Sequence, residues 1–212
     1  MLKTPEKFSD SHQDNITTVN EHMIERIEKS LTLLNTLHEP WHQLADRDVQ
    51  INDCLQQALR ELFPQLRMGE TAVNSTNIPL PNNHTLTVSL NMADDLPTVQ
   101  TAPDMLSEAF RVVLKNGYEA ILAQNKPGSL QVTSRLQSKN RLQIIIQDSG
   151  VGIRPEDIPH IFEMGWSGKK GSGMGFGLFW TRDFIHGLGG SLYVDSKPNQ
   201  GTTFDISLPI TS

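Results

Sequence analysis

The chain has 212 residues, of which 37% are hydrophobic and 20% charged, a composition typical of a globular protein with one sizeable core rather than of a disordered chain. The formal net charge of −6 provides no basic field that could replace counterions on a phosphate backbone, so non-specific nucleic-acid binding is not expected. The single cysteine, Cys54, excludes an intrachain disulfide framework, and the absence of a membrane-length apolar run or a signal-peptide core predicts a cytoplasmic domain without membrane contact.

Residues 1–47 are predicted to form an N-terminal region that consists of a polar lead-in and one long helix. From Ile16 onward, apolar residues recur at multiples of seven on two neighbouring rows, which is typical of a coiled-coil seam. The rows contain Ile16, Met23, Leu37 and Leu44 on one side and Ile27, Leu34 and Trp41 on the other. A single helix cannot bury this stripe, so we expect a partner helix or a homodimer, and Pro40 should end or kink the helix.

Residues 48–212 are predicted to form a second domain in which helical and strand patterns follow one another. Between them we predict a connector at 45–50, a loop at 64–83 and a linker at 97–103. In chain order, the patterned segments are a helix at 51–63, a strand at 85–92, a helix from Asp104 to about Gln124, strands beginning at Leu130 and Arg141, a helix at 178–188 and a terminal hairpin whose turn carries Pro198, Asn199 and Gly201. Runs of strands with three helices predict an α+β fold, a two-layer sandwich rather than a doubly wound parallel sheet.

The segment 144–178 has the composition of a nucleotide site. Its isoleucine run, 144–146, predicts a strand covered on both faces, and Asp148 follows at the end of that strand. Gly150 and Gly152 come next, so the backbone can adopt a positive φ or approach a ligand closely. The same Asp-x-Gly-x-Gly pattern also occurs as an ordinary turn, so it does not define a ligand site alone.

A second glycine cluster, at positions 171, 173, 175 and 177, opens onto the predicted helix at 178. A glycine-rich loop that leads into a helix N-terminus presents free N–H groups to phosphate oxygens, although such a run can also be a flexible loop. The Walker pattern is absent, and no G-x-G-x-x-G follows a strand inside a βαβ unit. The two commonest phosphate-binding folds are therefore not predicted.

Five segments resemble, in the same order, the sequence boxes of the catalytic, ATP-binding domain of histidine kinases, which belong to the GHKL superfamily and have the Bergerat fold. They are VVLKNGYEAI for the asparagine box, DSGVGI for the first glycine box, IFEMGWSGKK for the phenylalanine box, GSGMGFGL for the second glycine box and GTTFDISLP for the closing segment. The resemblance covers about Val49 to Pro209 and implies a mixed sheet with three main helices on one face. It also implies ATP and Mg²⁺ as cofactors, and a longer two-component sensor kinase to which any membrane anchor would belong.

The resemblance implies a role for each matching residue. Asn116 would bind Mg²⁺ through its carbonyl oxygen, and Asp148 would accept a hydrogen bond from the exocyclic amino group of adenine. Gly150 and Gly152 would let the backbone pass close to the base, and the Thr202 hydroxyl would support adenine recognition. From the residues alone, Asn116 is better explained as a solvated helix residue. Asp148 can equally be the turn residue at a strand end, and Thr202 is almost as well explained as an ordinary strand residue.

The segment between the glycine boxes resembles the nucleotide lid of the family. Phe162 is expected to anchor this lid, with plain core packing as an equal alternative. Lys169 is expected to pair with phosphate as a point charge. Gly173, Gly175 and Gly177 are expected to supply flexibility and phosphate-facing amides.

Two positions depart from the family pattern. Hydrolysing relatives carry a glutamate general base one helical turn before the metal-binding asparagine, and Val112 stands at that position. Intrinsic ATP hydrolysis by that route is therefore not expected, and full kinase activity is also open to question. Gly117 replaces the usual alanine, at a helix cost of about 1 kcal/mol.

No histidine of the chain has the complete phospho-acceptor motif of the family. His12 has the loosest likeness, His22 lies in the heptad helix, and His38 and His42 flank its end. We expect the acceptor upstream of this chain, in a dimerisation hairpin whose second helix is residues 16–39, and a response-regulator receiver domain as partner. Two alternatives stay open: a non-catalytic nucleotide-binding or scaffold module, and an anti-sigma-type serine kinase, which the heptad helix disfavours.

Overall fold

The computed structural model describes residues 47–66, 73–168 and 175–210. The predicted coiled-coil-like helix at 16–39 lies outside these residues. In chain order, the elements are β1 (Arg47–Val49), α1 (Ile51–Leu62), β2 (Val73–Pro79), a 3-10 turn (Pro81–Asn83), β3 (Thr85–Met92), β4 (Val99–Thr101), α2 (Pro103–Leu122), β5 (Gly128–Ser138), β6 (Arg141–Asp148), α3 (Gly177–Gly187), β7 (Ser191–Lys197) and β8 (Gly201–Pro209). Within the described part of the chain, no helix has both the length and the apolar character needed to cross a membrane.

Six strands form one mixed sheet in the order β2, β3, β5, β6, β8, β7. β3 and β5 run parallel, and every other neighbouring pair in this sheet is antiparallel. β1 and β4 form a separate two-stranded ribbon. In the sheet, Asp148 at the end of β6 is paired with Thr202 near the start of β8. The strand order thus brings together two residues that lie far apart in the chain.

The three helices form a layer on one face of the sheet. α2 packs against β5, β6 and β8, while α1 packs against α2, and α3 packs against α2 and β7. The inner face of α2 repeats at three- and four-residue spacing, and alternate residues of the strands point towards it. The buried set includes Leu106, Phe110, Val113, Leu114 and Ile121 on α2, and Leu130, Val132, Leu142, Ile144, Ile206 and Leu208 on the strands. The predicted α+β fold, a mixed sheet with three helices, is confirmed.

Three strands were not predicted. β2 occupies the middle of the predicted loop at 64–83, and its VNSTNIP sequence is too polar to show an alternating pattern because it is an edge strand with proline at its end. β1 lies in the predicted connector and β4 in the predicted linker. Each has three residues, which is too short for a periodicity to be detected. The predictions of loop structure at these positions were wrong.

The isoleucine run on β6 is covered on one face, not on both as predicted. Ile144 and Ile146 are buried against the helices, whereas Ile145 is only half-buried on the opposite face. That face also carries Gln143, whose amide donates a hydrogen bond of 2.7 Å to the carboxylate of Asp205. Among the described residues the helices cover only the other face, so this side of β6 meets polar neighbours instead of a second apolar layer.

Candidate functional site

Asp148 is the last residue of β6, and its carboxyl group is buried on the face of the sheet that packs against the helices. Its exposed fraction is 4%, and the backbone N–H of Gly150 donates to its Oδ1 at 2.7 Å. Burial raises the pKa of Asp148 to about 6, although backbone hydrogen bonds from Gly150 and Thr202 act in the opposite direction. A carboxylate held in this way can accept a hydrogen bond from a donor group of a ligand.

Helix α2 passes close to this carboxyl group at Gly117. A Cβ placed on Gly117 would lie 3.1 Å from the Cβ of Asp148 and 3.4 Å from its Oδ2. Helix and strand can therefore approach each other here because residue 117 has no side chain. Asn116 is the preceding residue of α2 and is half-buried. The close approach brings the predicted metal ligand and the predicted adenine-reading residue to neighbouring positions.

The two glycines of the first glycine box fit into spaces that admit no side chain. A Cβ on Gly150 would lie 2.5 Å from the Cβ of Ala120, and one on Gly152 would lie 2.0 Å from the carbonyl oxygen of Lys197. Gly152 also has a φ of +68°, which favours glycine. The N–H of Val151 donates to the carbonyl oxygen of Ala120 at 3.1 Å. The loop is thus held between the C-terminal part of α2 and the turn that joins β7 and β8.

Thr202 lies beside Asp148 and is also buried, with 4% of its surface exposed. Its hydroxyl lies 2.9 Å from the hydroxyl of Ser196, which faces it from β7 and is 8% exposed. Gly201, which precedes it, has a φ of +99°, and a Cβ there would lie 1.9 Å from the carbonyl oxygen of Asp148. Ser196 and Gly201 were not among the predicted site residues. Extending the register of the predicted hairpin through its turn would have placed Ser196 opposite Thr202.

Phe162 is packed rather than exposed. It is 9% exposed, and the guanidinium carbon of Arg182 on α3 lies 5.3 Å from its ring centroid. This contact attaches the segment after the first glycine box to α3 through a cation–π interaction. The role of Phe162 as a lid anchor stays a prediction, and so do the roles of Lys169 and Gly173, which lie outside the described residues.

Gly175 and Gly177 lie at the start of α3. Gly175 has a φ of +69°, and its carbonyl oxygen accepts a hydrogen bond of 3.2 Å from the N–H of Gly165. Gly177 is the first residue of α3, and the N-cap residue, Phe176, makes no side-chain hydrogen bond that caps the helix. Phe176 thus leaves the N–H groups of the first helical turn of α3 to other partners, and an anion is one such partner.

Val112 links the start of α3 to the middle of α2. A Cβ on Gly177 would lie 3.0 Å from Cγ1 of Val112. Val112 stands one helical turn before Asn116, so the same helix contacts the start of α3 at Val112 and Asp148 at Gly117. The two contacts are five positions apart, which corresponds to about 7.5 Å along the helix axis.

No group of three or more histidine, cysteine, aspartate or glutamate side chains that could hold a metal ion occurs among residues 47–66, 73–168 and 175–210. Mg²⁺ usually takes only one or two protein oxygens and completes its shell with water and nucleotide phosphates. The single amide oxygen of Asn116 is compatible with that mode of binding and not with a metal cage built from the protein alone.

Comparison with known proteins identifies the family. The sequence profile described as histidine kinase-, DNA gyrase B- and HSP90-like ATPase matches residues 101–212. The sensor histidine kinase ZraS of Escherichia coli is 29% identical over 182 residues, which cover 80% of this chain and 38% of that protein. The sensor histidine kinase DcuS of the same organism is 28% identical over 197 residues, covering 90% of this chain and 35% of that protein. The chain thus spans less than two fifths of the length of these relatives.

Solved structures agree with the fold. The mycobacterial sensor histidine kinase MprB superposes with a TM-score of 0.56 at 21% identity, covering 78% of this chain and 97% of that one. Full-length ShkA in complex with AMPPNP gives a TM-score of 0.65 at 18% identity, covering 98% of this chain and 41% of that one. The chain therefore belongs to the histidine kinase-, DNA gyrase B- and HSP90-like ATPase family, whose sequence profile covers slightly more than half of it.

Proposed function

We propose that the domain binds Mg-ATP along α2 and transfers the γ-phosphoryl group to a histidine outside this chain. The observation that carries this proposal is the pair of contacts on one helix. At Gly117, α2 approaches the buried carboxyl group of Asp148, and at Val112 it approaches the first residue of α3, Gly177. The base would bind at the first contact and the phosphates near the second.

At the base end, Asp148 and Thr202 select the nucleotide. An ionised Asp148 accepts a hydrogen bond from the exocyclic amino group of adenine, and a guanine base would present an oxygen atom there instead. The carboxylate would then face a second acceptor without a hydrogen atom between them. Because the group is buried, this mismatch would leave it unpaired at a cost of about 1 to 3 kcal/mol or more. We therefore expect ATP to bind more tightly than GTP.

The phosphate end would combine the first N–H groups of α3, near Val112, with the amide oxygen of Asn116, which stands one helical turn further along α2. The N–H groups would stabilise phosphate oxygens, and Lys169 would add a positive charge. Asn116 would hold Mg²⁺, which neutralises charge on the phosphates when it is bound. Phe162, Gly173 and Gly175 would position the lid over this end.

The residue at position 112 favours transfer to histidine over hydrolysis. A neutral imidazole attacks phosphorus with its own lone pair, forming a P–N bond while the bond to the β-phosphate oxygen breaks and ADP leaves. Water needs a base to take its proton, and the valine side chain cannot act as one. Catalysis would therefore depend on positioning and charge neutralisation.

We also propose the wider arrangement that the resemblance implies. The acceptor histidine would lie upstream of this chain, so the chain alone would not autophosphorylate. Residues 16–39 would form part of a homodimer interface, a receiver domain would take the phosphoryl group, and the domain would work in the cytoplasm, where ATP is available. Because Val112 replaces a polar residue, a non-catalytic module in which nucleotide binding changes partner contacts is the second candidate.

Isothermal titration calorimetry with Mg-ATP tests the nucleotide site. We expect binding by the chain, a loss of more than tenfold in affinity for Asp148→Asn, and a dependence on Mg²⁺ that Asn116→Ala removes. Asp195→Asn and Asn91→Ala, at exposed positions on β7 and β3, are the matched controls and should bind normally. Absence of binding at millimolar nucleotide would refute the proposal. Radiolabelled phosphotransfer to a longer protein that includes the upstream helix separates the kinase from the non-catalytic module.

A further inference from the structure

Three buried side chains form one row across the edge of the sheet. Asp148 on β6 pairs with Thr202 on β8, and Thr202 pairs with Ser196 on β7. Adjacent strands lie about 5 Å apart, so neighbouring side chains of such a row are in contact on the helix-facing side. Ser196 is therefore separated from the carboxyl group only by Thr202.

The hydrogen bonds of Ser196 decide how Thr202 is oriented. The Ser196 hydroxyl donates its one hydrogen to the carbonyl oxygen of Gly201 at 2.9 Å. Its oxygen accepts a hydrogen bond of 2.8 Å from the N–H of Ile153. The Ser196 oxygen, which lies 2.9 Å from the Thr202 hydroxyl oxygen, can therefore offer Thr202 only a lone pair. The Thr202 hydroxyl must then be the donor in that contact.

Because the Thr202 hydroxyl donates its hydrogen to Ser196, the Thr202 oxygen has only lone pairs to offer to a ligand. Asp148, when ionised, likewise presents only lone pairs. Both groups would therefore offer acceptors to the base, which suits an amino group and not a ring nitrogen or a carbonyl oxygen. Without Ser196, the Thr202 hydroxyl could rotate and present its hydrogen instead.

We propose that Ser196 is a positioning residue that holds Thr202 as a hydrogen-bond acceptor and thereby sharpens the preference for a 6-aminopurine nucleotide. This inference rests on the proposed adenine-reading roles of Thr202 and Asp148. Ser196 itself does not touch the base in this scheme. Its hydrogen bond from Ile153 also holds the first glycine loop, so the test has to separate base selection from loop stability.

The experiment compares ATP with purine riboside triphosphate, which lacks the 6-amino group, by calorimetry. We expect Ser196→Ala to weaken ATP binding by about fivefold, the effect of one hydrogen bond, and to leave binding of the analogue unchanged. In a Thr202→Val background the same substitution should have no further effect. Ser196→Thr, which keeps the hydroxyl, should restore the preference, and Ser191→Ala on the same strand is the matched control.

The outcomes are distinguishable. If Thr202→Val leaves ATP affinity unchanged, the proposed role of Thr202 is wrong. Suppose instead that Thr202→Val does weaken ATP binding. The inference is then overturned, and Ser196 is only structural, if Ser196→Ala weakens binding of ATP and of the analogue equally. It is also overturned if Ser196→Ala causes the same loss of ATP affinity in the Thr202→Val background as it does alone. Should Ser196→Ala not fold, Ser196→Cys gives the same comparison with a weaker acceptor, and an unchanged preference for ATP would again overturn it.

Discussion

Replacing Asp148 by asparagine should make the nucleotide-free domain more stable while removing nucleotide binding. The folded protein raises the pKa of Asp148 from 3.8 to about 6, chiefly through burial. A rise of roughly two units corresponds to about 3 kcal/mol by which the ionised group destabilises the fold at neutral pH. The amide is neutral, and its oxygen can still accept the hydrogen bond from Gly150.

The realised gain should be about 2 kcal/mol, because the amide nitrogen would face one of the two backbone N–H groups that now reach the carboxylate. For a domain of this size, that gain raises the melting temperature by about 4 to 8 °C. Because folding raises the pKa of Asp148, the protonated carboxyl group contributes to the stability of the fold. That contribution is present in full below the unfolded-state pKa and is lost as pH rises through about 6. The advantage of Asp148→Asn should therefore be largest above pH 7, about a third as large at pH 5 and no longer present at pH 4.

Thermal and urea unfolding at several pH values, without nucleotide, provide the measurement. Asp195→Asn, at an exposed carboxyl group, is the control and should change stability little at any pH. ATP affinity of the unsubstituted chain should in turn fall as pH drops below about 6, because protonation removes the acceptor. A less stable Asp148→Asn variant at pH 7.5, or a gain that does not depend on pH, would refute the reasoning.

Three further predictions follow from the glycine contacts and from Val112. Gly117→Ala should weaken ATP binding severalfold at nearly unchanged melting temperature, because a gain in helix stability of about 1 kcal/mol offsets a crowded contact with the carboxyl group of Asp148. Gly187→Ala, which has open space around it, is the control and should leave ATP affinity unchanged. Equal ATP binding by both variants would contradict this prediction. Val112→Glu should raise ATP hydrolysis at least about tenfold in a phosphate-release assay by supplying a base, and an unchanged rate would show that position 112 does not limit hydrolysis. Gly152→Ala should prevent stable folding or cost several kcal/mol in urea unfolding, whereas Gly165→Ala, also at positive φ but with nothing within 4 Å, should cost only about 1 to 2 kcal/mol; similar costs would mean that the clash is relieved by movement.

Part of the fold could be predicted because its signals are local. The strands at 85–92 and 141–148, the helix α2 and the terminal hairpin have regular apolar spacing, and the structure places them within a few residues of the predicted bounds. β1, β2 and β4 were missed because they are short or polar. β1 and β4 pair only with each other across distant parts of the chain, and β2 pairs only with β3, the strand that follows it. Edge strands of this kind carry little periodicity of their own.

The candidate site divides in the same way. The residue types at Asp148, Asn116 and the glycines, in their order along the chain, were sufficient to indicate a nucleotide site and its family. Their spatial relations were not, because contacts between α2, the end of β6 and the β7–β8 hairpin join segments separated by up to about 85 residues of chain. Ser196 illustrates this, since a serine in a strand has no distinguishing signal until the register places it opposite Thr202.

The sequence by itself determined the class of fold, the family and the residue types that can meet a nucleotide, because these depend on local spacing and on motifs within single segments. Only the tertiary structure decided which of those residues touch. The close approach at Gly117, the raised pKa of Asp148 and the orientation of Thr202 by Ser196 all arise from burial and hydrogen bonding between segments that are distant in the chain. Those properties depend on distances in space, and the order of residues along the chain does not give the distance between residues that are far apart in it.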